Sequence, residues 1–274
     1  MTIWQSILLG IIQGLTEFLP ISSSAHLVLV PYLLDWQIPA KEAFIFDVLV
    51  QVASLLAVFI FFYRDLLAII RASSIGLMQK QPFQDPNART GWLLILATIP
   101  AGVLGLILKN AVERTFANPI YPAIFLLFTA SFLFLAERVG KRVRNLEELN
   151  WKDAMWVGAA QALAIFPGIS RSAAAISAGM MRDFERTSAT RFAMLLSIPV
   201  MLAAGLLSCI DLLRLPNFPS LTIQFVPGFI ASAITSYLSI RWLLRYLSRH
   251  PLYLFSIYCG MLGLIVLGTV FWGK

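Results

Sequence analysis

The chain has 274 residues, of which 59% are apolar and 13% charged, against about 25% charged in an ordinary soluble domain. That balance excludes a water-soluble globular protein and points to an all-α polytopic membrane protein forming one domain over residues 1–274. The net charge of +7 is carried by Lys and Arg in short loops between apolar runs, which excludes nucleic acid as a partner and reads as orientation in a bilayer.

The first apolar region, residues 3–34, is interrupted by "TEFLPISSSAH", with Thr16, Glu17, Pro20, three serines and His26. No Lys or Arg precedes Lys41, so the basic head of a signal peptide is missing and this segment is expected to stay in the mature protein. Each half is too short to span, which predicts a re-entrant helical hairpin; its non-helical break must be buried in protein or line a wet cavity.

Spans are then expected at 43–63, 91–108 and 119–136, separated by a cytoplasmic loop at 64–90 and followed by another at 137–153. Both the "RASSIG" and "RVGKRVRN" stretches read as solvated loop. A second interrupted region, 154–181, predicts a second re-entrant hairpin, and spans at 192–210, 223–240 and 252–272 complete six transmembrane helices. Cys209 and Cys259 lie in apolar stretches and read as small buried residues rather than a disulfide or metal site. His250, before Pro251 in a basic loop, reads as a membrane-surface residue.

The two interrupted regions align without a gap at an offset of 148, Gln13–Ala25 on Gln161–Ala173, with seven of thirteen positions identical. Repeat one then covers about 1–136 and repeat two about 154–272. Three spans separate the copies, and an odd number inverts the second, giving an inverted-topology repeat with broken helices near the midplane. Loops at 64–90, 137–153, 182–191 and 241–250 carry fifteen Lys and Arg; the opposite face carries Lys41, Lys109, Arg114, Arg214 and Lys274. The first face is therefore expected to be cytoplasmic and both termini outside.

Within apolar segments the only ionisable acids are Glu17 and Asp47, and the only basic residue is Arg171. Ionisable groups at membrane depth are costly and mark functional sites. The alternative is a structural Glu17–Arg171 ion pair joining the hairpins. Gln13 and Glu17 are four apart, and Ser23 and His26 three apart, so each pair shares a helix face. Ser22 or Ser23, and Ser170 or Ser172, suit the N-cap of each second half-helix. Two helix N-termini aimed into one cavity bind phosphate, and Arg171 adds a planar fork for its oxygens. Ser24 belongs to the same serine run, and Asp47 and Gln51 are placed to support Glu17 or His26. The copies have diverged: Glu17, Ser23 and His26 face Ile165, Arg171 and Ala174.

"QGLTEFLPISSSAH" and "PGISRS", together with "LLSIP" at 195–199, resemble the signature motifs of the bacterial undecaprenyl-diphosphate phosphatase family, known for bacitracin resistance. The resemblance implies hydrolysis of undecaprenyl diphosphate to the monophosphate, recycling a lipid carrier at the outer face of the bacterial cytoplasmic (inner) membrane. It places the family's acidic pair on Gln13 and Glu17, leaving one carboxylate, its functional Ser and His on Ser23 and His26, and its Arg on Arg171 between Ser170 and Ser172. The family's Thr falls on Ala175, so one hydroxyl is missing.

The expected substrate is a polyprenyl diphosphate lipid drawn from the surrounding membrane lipid. Arg171, the two helix N-termini and a divalent cation (Mg2+ or Ca2+) near Glu17 would offset phosphoryl charge. The attacking group stays open among Ser23 activated by His26, His26 itself, and water with Glu17 or His26 as base. A homodimer is compatible with the sequence. The rival reading is a polyprenyl-phosphate flippase, because inverted repeats with broken helices are also a transporter signature.

Overall fold

The computed structural model describes residues 1–116, 118–213 and 218–272; the side chains of 40–41, 109–110, 113–114, 116, 207–213 and 218–223 are outside that description. The expectations for Arg214 and Lys274, and those for the side chains of Lys41, Lys109, Arg114 and Cys209, lie outside the described residues.

The described chain is helical, without a named strand. Hairpin one is α1 (Ile3–Phe18) and α2 (Ser23–Leu33), followed by α3 (Ala40–Phe61), α4 (Tyr63–Met78), α5 (Pro86–Phe116) and α6 (Ile120–Val139). Hairpin two is α7 (Trp151–Ala162) and α8 (Arg171–Met181), followed by α9 (Arg186–Leu213), α10 (Phe218–Leu247) and α11 (Tyr253–Phe271). Among the described residues five helical segments are long and apolar enough to cross a bilayer: Glu42–Phe61, Pro86–Leu108, Ile120–Val139, Arg186–Leu206 and Tyr253–Phe271. The expected span 223–240 lies inside α10. That helix carries Ser232, Ser236 and Ser239, all buried, and is less apolar for it.

One expectation is corrected. Residues 64–90 are not a solvated loop: α4 occupies Tyr63–Met78, separated from α3 by Phe62 alone, and the connection is only 79–85. "RASSIG" lies in α4, where Ile69 and Gly76 are buried. Its Arg and Ser residues suggested loop, but the apolar positions between them recur at helical spacing and pack against α5. The connection 137–153 is likewise shortened, because α6 runs to Val139 and α7 starts at Trp151.

The helix pairing exchanges between the halves. Hairpin one packs through α1 on α10, and hairpin two through α7 on α5. Small residues permit both crossings. A Cβ on Gly10 would lie 2.2 Å from the Gly228 carbonyl oxygen, and one on Gly158 would lie 2.2 Å from that of Ala97. Gly10 and Gly158 are 148 positions apart, the offset of the repeat. On α1 the spacing Gly10-x-x-x-Gly14 is a small-residue motif for close helix packing at membrane depth. Ser54 and Ser232 extend the α10 contact to α3 by a 3.2 Å hydroxyl pair.

The end of the bundle rich in arginine is tied by arginines on buried carboxylates. Asp153 accepts from Arg144 Nη2 at 2.6 Å and Arg182 Nε at 2.8 Å. Glu137 accepts from Arg186 Nη2 at 2.6 Å and from the Leu252 backbone N–H at 2.7 Å. These contacts fix the base of hairpin two and the start of α11. His250 is exposed in that region and stacks on Tyr246, with ring centroids 4.7 Å apart.

Candidate active site

The two breaks are built alike. Ser22 is the N-cap of α2, its Oγ accepting from Ala25 N–H at 3.4 Å; Ser170 is the N-cap of α8, accepting from Ala173 N–H at 3.2 Å. Two residues on, Ser24 Oγ lies 3.2 Å from Ser22 Oγ, and Ser172 Oγ 3.1 Å from Ser170 Oγ. Such caps satisfy one orphan donor of the first turn and leave others aimed outward. The turns that feed them differ. In hairpin one Ser22 itself takes φ 69°, a conformation uncommon for a residue with a side chain and concentrated at functional sites. In hairpin two the positive φ, 105°, falls on Gly168, where a Cβ would meet the Pro122 carbonyl oxygen at 2.4 Å.

The breaks touch. Ser172 Oγ donates to the Leu19 carbonyl at 3.0 Å, and the Cys259 thiol on α11 reaches the Pro20 carbonyl at 3.7 Å. Thr129 on α6 holds the second turn, donating to Gly168 O at 2.8 Å and accepting from Ser170 N–H at 3.1 Å. Both half-helices therefore start beside one another.

Glu17 is at the centre and only 7% exposed. Its Oε1 accepts from the Arg171 guanidinium of the other hairpin. Its Oε2 accepts from Gln13 Nε2 at 2.9 Å and from Ser23 Oγ at 2.5 Å. A carboxylate in apolar surroundings requires such donors. A small cavity, about 10 Å³, lies between Glu17, Phe18, Arg171, Ser172, Met194 and Ser197. Ser197 is the serine of "LLSIP", so α9 closes this side.

His26 is adjacent but faces another way. Its Nδ1 lies 2.7 Å from the Ser22 carbonyl oxygen and its Nε2 lies 2.7 Å from the Tyr258 hydroxyl of α11. Neither nitrogen bonds Ser23. Of the three attacking arrangements left open by the sequence, Ser23 activated by His26 has no direct hydrogen bond here; Ser23 turns back across the break and bonds the Glu17 carboxylate. Asp47 and Gln51 on α3 make no hydrogen bond to this cluster among the described residues; Asp47 is half-buried and Gln51 exposed. Ala175, one turn beyond Arg171, is buried within α8. The sequence gives Ser197, Thr129 and Tyr258 no site role, since each is one of several hydroxyls in an apolar helix.

A larger apolar cavity of about 260 Å³ begins beside the site. It is lined by Phe125, Phe128, Phe132, Leu163, Phe166 and Ser170, the last being the cap that precedes Arg171. Phe128 is 57% exposed, so the cavity reaches the outer surface of the helix bundle.

The donor set suits a hard cation only as a shared one. Gln13 Oε1 is buried without a hydrogen-bond partner beside the Glu17 carboxylate, and no group of three or more His, Cys, Asp or Glu residues is close enough for a protein cage among the described residues. One carboxylate and one amide oxygen fit a Mg2+-type ion that takes its remaining ligands from phosphate and water.

The family model of the bacitracin resistance protein BacA matches residues 6–265. The chain is 40% identical over 277 residues to an undecaprenyl-diphosphatase of Thermomicrobium roseum, covering 98% of this chain and 99% of the relative. It is 39% identical over 264 residues to one of Desulforudis audaxviator, covering 96% of each, and 40% identical over 270 residues to one of Gemmatimonas aurantiaca, covering 98% of each. With its apolar helices, the chain is a multi-pass membrane protein, and it belongs to the bacitracin resistance protein BacA family.

Proposed function

We propose that the chain is an undecaprenyl-diphosphate phosphatase that releases the terminal phosphate of a polyprenyl diphosphate and regenerates the monophosphate carrier of cell-wall synthesis. One observation carries this reading: a nucleophile-type hydroxyl, a carboxylate and an arginine meet at two capped helix N-termini inside a membrane bundle. The names of the relatives support the substrate. The 260 Å³ Phe-lined cavity starting at Ser170 supports a lipid tail lying beside the phosphate site.

In this reading the terminal phosphate docks on the backbone N–H groups at the starts of α2 and α8, where the helix dipoles favour negative charge. Arg171 turns from Glu17 to the phosphoryl oxygens, holding two of them with its fork. Glu17, relieved of that partner, takes the proton of Ser23 as its Oγ attacks phosphorus and the monophosphate leaves. Water then hydrolyses the phosphoserine, returning the proton. A divalent cation, held by Glu17 and Gln13 Oε1, would supply charge neutralisation on the phosphate.

The loop charges support an inner-membrane orientation with both termini and the site facing outside. The exchanged α1–α10 and α7–α5 pairings support an inverted repeat. The same pairing favours a second reading, a flippase for the monophosphate. Purified protein in detergent given a polyprenyl diphosphate decides: phosphate release supports hydrolysis, whereas a flippase releases none.

A further inference from the structure

His26 is 6% exposed and both ring nitrogens are engaged. A carbonyl oxygen only accepts, so the neutral imidazole carries its proton on Nδ1, facing Ser22 O. Nε2 is then a bare acceptor, and the group 2.7 Å from it is the hydroxyl of Tyr258. The two rings lie within 3° of parallel with centroids 5.7 Å apart, so the tyrosine holds the imidazole in plane as well as in tautomer. Tyr258 is itself well anchored: Ser256, two residues back, donates to Ala130 O at 2.7 Å, and its neighbour Cys259 reaches the Pro20 carbonyl at the break of hairpin one. Yet Tyr258 is 38% exposed. The imidazole is enclosed; Tyr258 is the more exposed residue of the pair.

We propose that Tyr258 is the proton relay of His26: it fixes the Nδ1–H tautomer, and protons pass between His26 and bound substrate through its hydroxyl. When the ring is an imidazolium, Nε2–H donates to the phenol oxygen and frees the phenol O–H for a phosphate oxygen. In the transfer that O–H bond breaks as a new O–H bond forms on the departing monophosphate, while the Nε2 proton moves onto the phenol oxygen. The net change is one proton from His26 to the leaving group, with Tyr258 neutral before and after. This role also accounts for His26 standing apart from Ser23, since leaving-group protonation and nucleophile activation occur on opposite sides of phosphorus in an in-line displacement.

The transfer step rests on the phosphatase reading; the tautomer does not, so two measurements are combined. The chain has two histidines, and a His250→Gln background leaves His26 as the single signal in 15N-histidine NMR of the detergent-solubilised protein. The expected wild-type spectrum is the Nδ1–H tautomer with a hydrogen-bonded Nε2, and Tyr258→Phe is expected to expose Nε2 while keeping the ring. Coincident spectra overturn the proposal. In phosphate release, Tyr258→Phe is expected to lower kcat about tenfold or more with KM within about twofold. His26→Gln/Tyr258→Phe is expected to be no slower than His26→Gln, with Cys259→Ala as the neighbouring control for folding. Turnover of Tyr258→Phe within about twofold of wild type, or losses that multiply in the double variant, overturn the relay. If the wild type releases no phosphate while the spectra differ as expected, the phosphatase reading falls and the tautomer assignment stands.

Discussion

Ser23 Oγ donates to Glu17 Oε2 at 2.5 Å across the break between α1 and α2, six residues apart in sequence. The bond exists because Ser22 turns the chain through a positive φ before α2 starts, which returns the next side chain toward the end of α1. Glu17 also accepts from Gln13 and Arg171, so one carboxylate orders Ser23, the neighbouring amide and the other hairpin.

From this arrangement Glu17→Gln is expected to reduce phosphate release by about 10³-fold or more while the protein still inserts and elutes as the wild type does. Gln keeps the shape but cannot take the proton of Ser23. Ser23→Ala is expected to lose about 10²-fold or more. Steady-state rates in detergent check both. Retention of activity within about threefold, roughly 0.7 kcal/mol of barrier, would make Glu17 structural; the same result for Ser23→Ala would transfer the attack to water.

The parts legible in the sequence were those where polar chemistry interrupts an apolar pattern. Both hairpins, both serine caps and the Glu17–Arg171 encounter follow from that contrast, because lipid makes each polar residue conspicuous. Tyr258, Thr129 and Ser197 escaped because one hydroxyl in an apolar helix is common, and its direction depends on which helix it meets. The pairing of α11 with α6, which brings Tyr258 to His26, is set by packing between segments far apart in the chain. α4 was missed for the opposite reason: Arg64, Asp65, Arg71, Ser73 and Ser74 are scattered among its apolar residues, so their polarity suggests a loop. The Gly10-x-x-x-Gly14 spacing was visible, but only the crossing with α10 gives it a meaning.

Asp153 makes the stability of the arginine-rich end depend on pH. Burial pushes its carboxyl up, but hydrogen bonds from Arg144 and Arg182 outweigh that and hold it below its ordinary value of 3.8. A carboxyl depressed on folding contributes stability above its unfolded value and loses it as pH falls through the folded one. The contribution is therefore complete at pH 7 and expected to fade below about pH 4. Asp153→Asn is expected to cost about 2 kcal/mol at pH 7, below the range for fully buried pairs because both arginines reach solvent. Thermal midpoints in detergent at pH 7 and at about pH 2, below the ordinary carboxyl value, check it: the deficit of the variant should shrink at the lower pH. An equal deficit at both would assign the effect to packing.

Orientation is tested at two exposed connections, Gln37 between α2 and α3 and Glu147 between α6 and α7. In a background with Cys209 and Cys259 replaced by Ser, Gln37→Cys is expected to react with an impermeant maleimide on intact cells, and Glu147→Cys only after lysis. The charge bias that sets this expectation is fifteen Lys and Arg on one face against five on the other. The reverse labelling pattern would turn the protein over and place the site toward the cytoplasm.

Arg171 pairs with Glu17 in the structure, and two roles for it make opposite predictions. As a countercharge alone it would be replaceable by any cation, so Arg171→Lys would be mild, and Glu17→Gln/Arg171→Gln would recover part of each single loss by removing both charges together. As a phosphate clamp it needs its geometry. It opens α8 between Ser170 and Ser172, where the fork can hold two oxygens of a phosphate while first-turn N–H groups hold a third. Lysine keeps the charge, presents one compact ammonium and retains more water at a site where Arg171 is only 23% exposed. Arg171→Lys is then expected to fall by about 10²-fold or more, chiefly in kcat, because the fork tightens on charge that develops in the transition state. The double Gln variant is expected to recover nothing, since the ion pair is the resting arrangement of two groups that separate when phosphate binds. Near-normal kinetics for the Lys variant, or partial rescue in the double variant, would reduce Arg171 to the partner of Glu17 and remove the clamp from the mechanism.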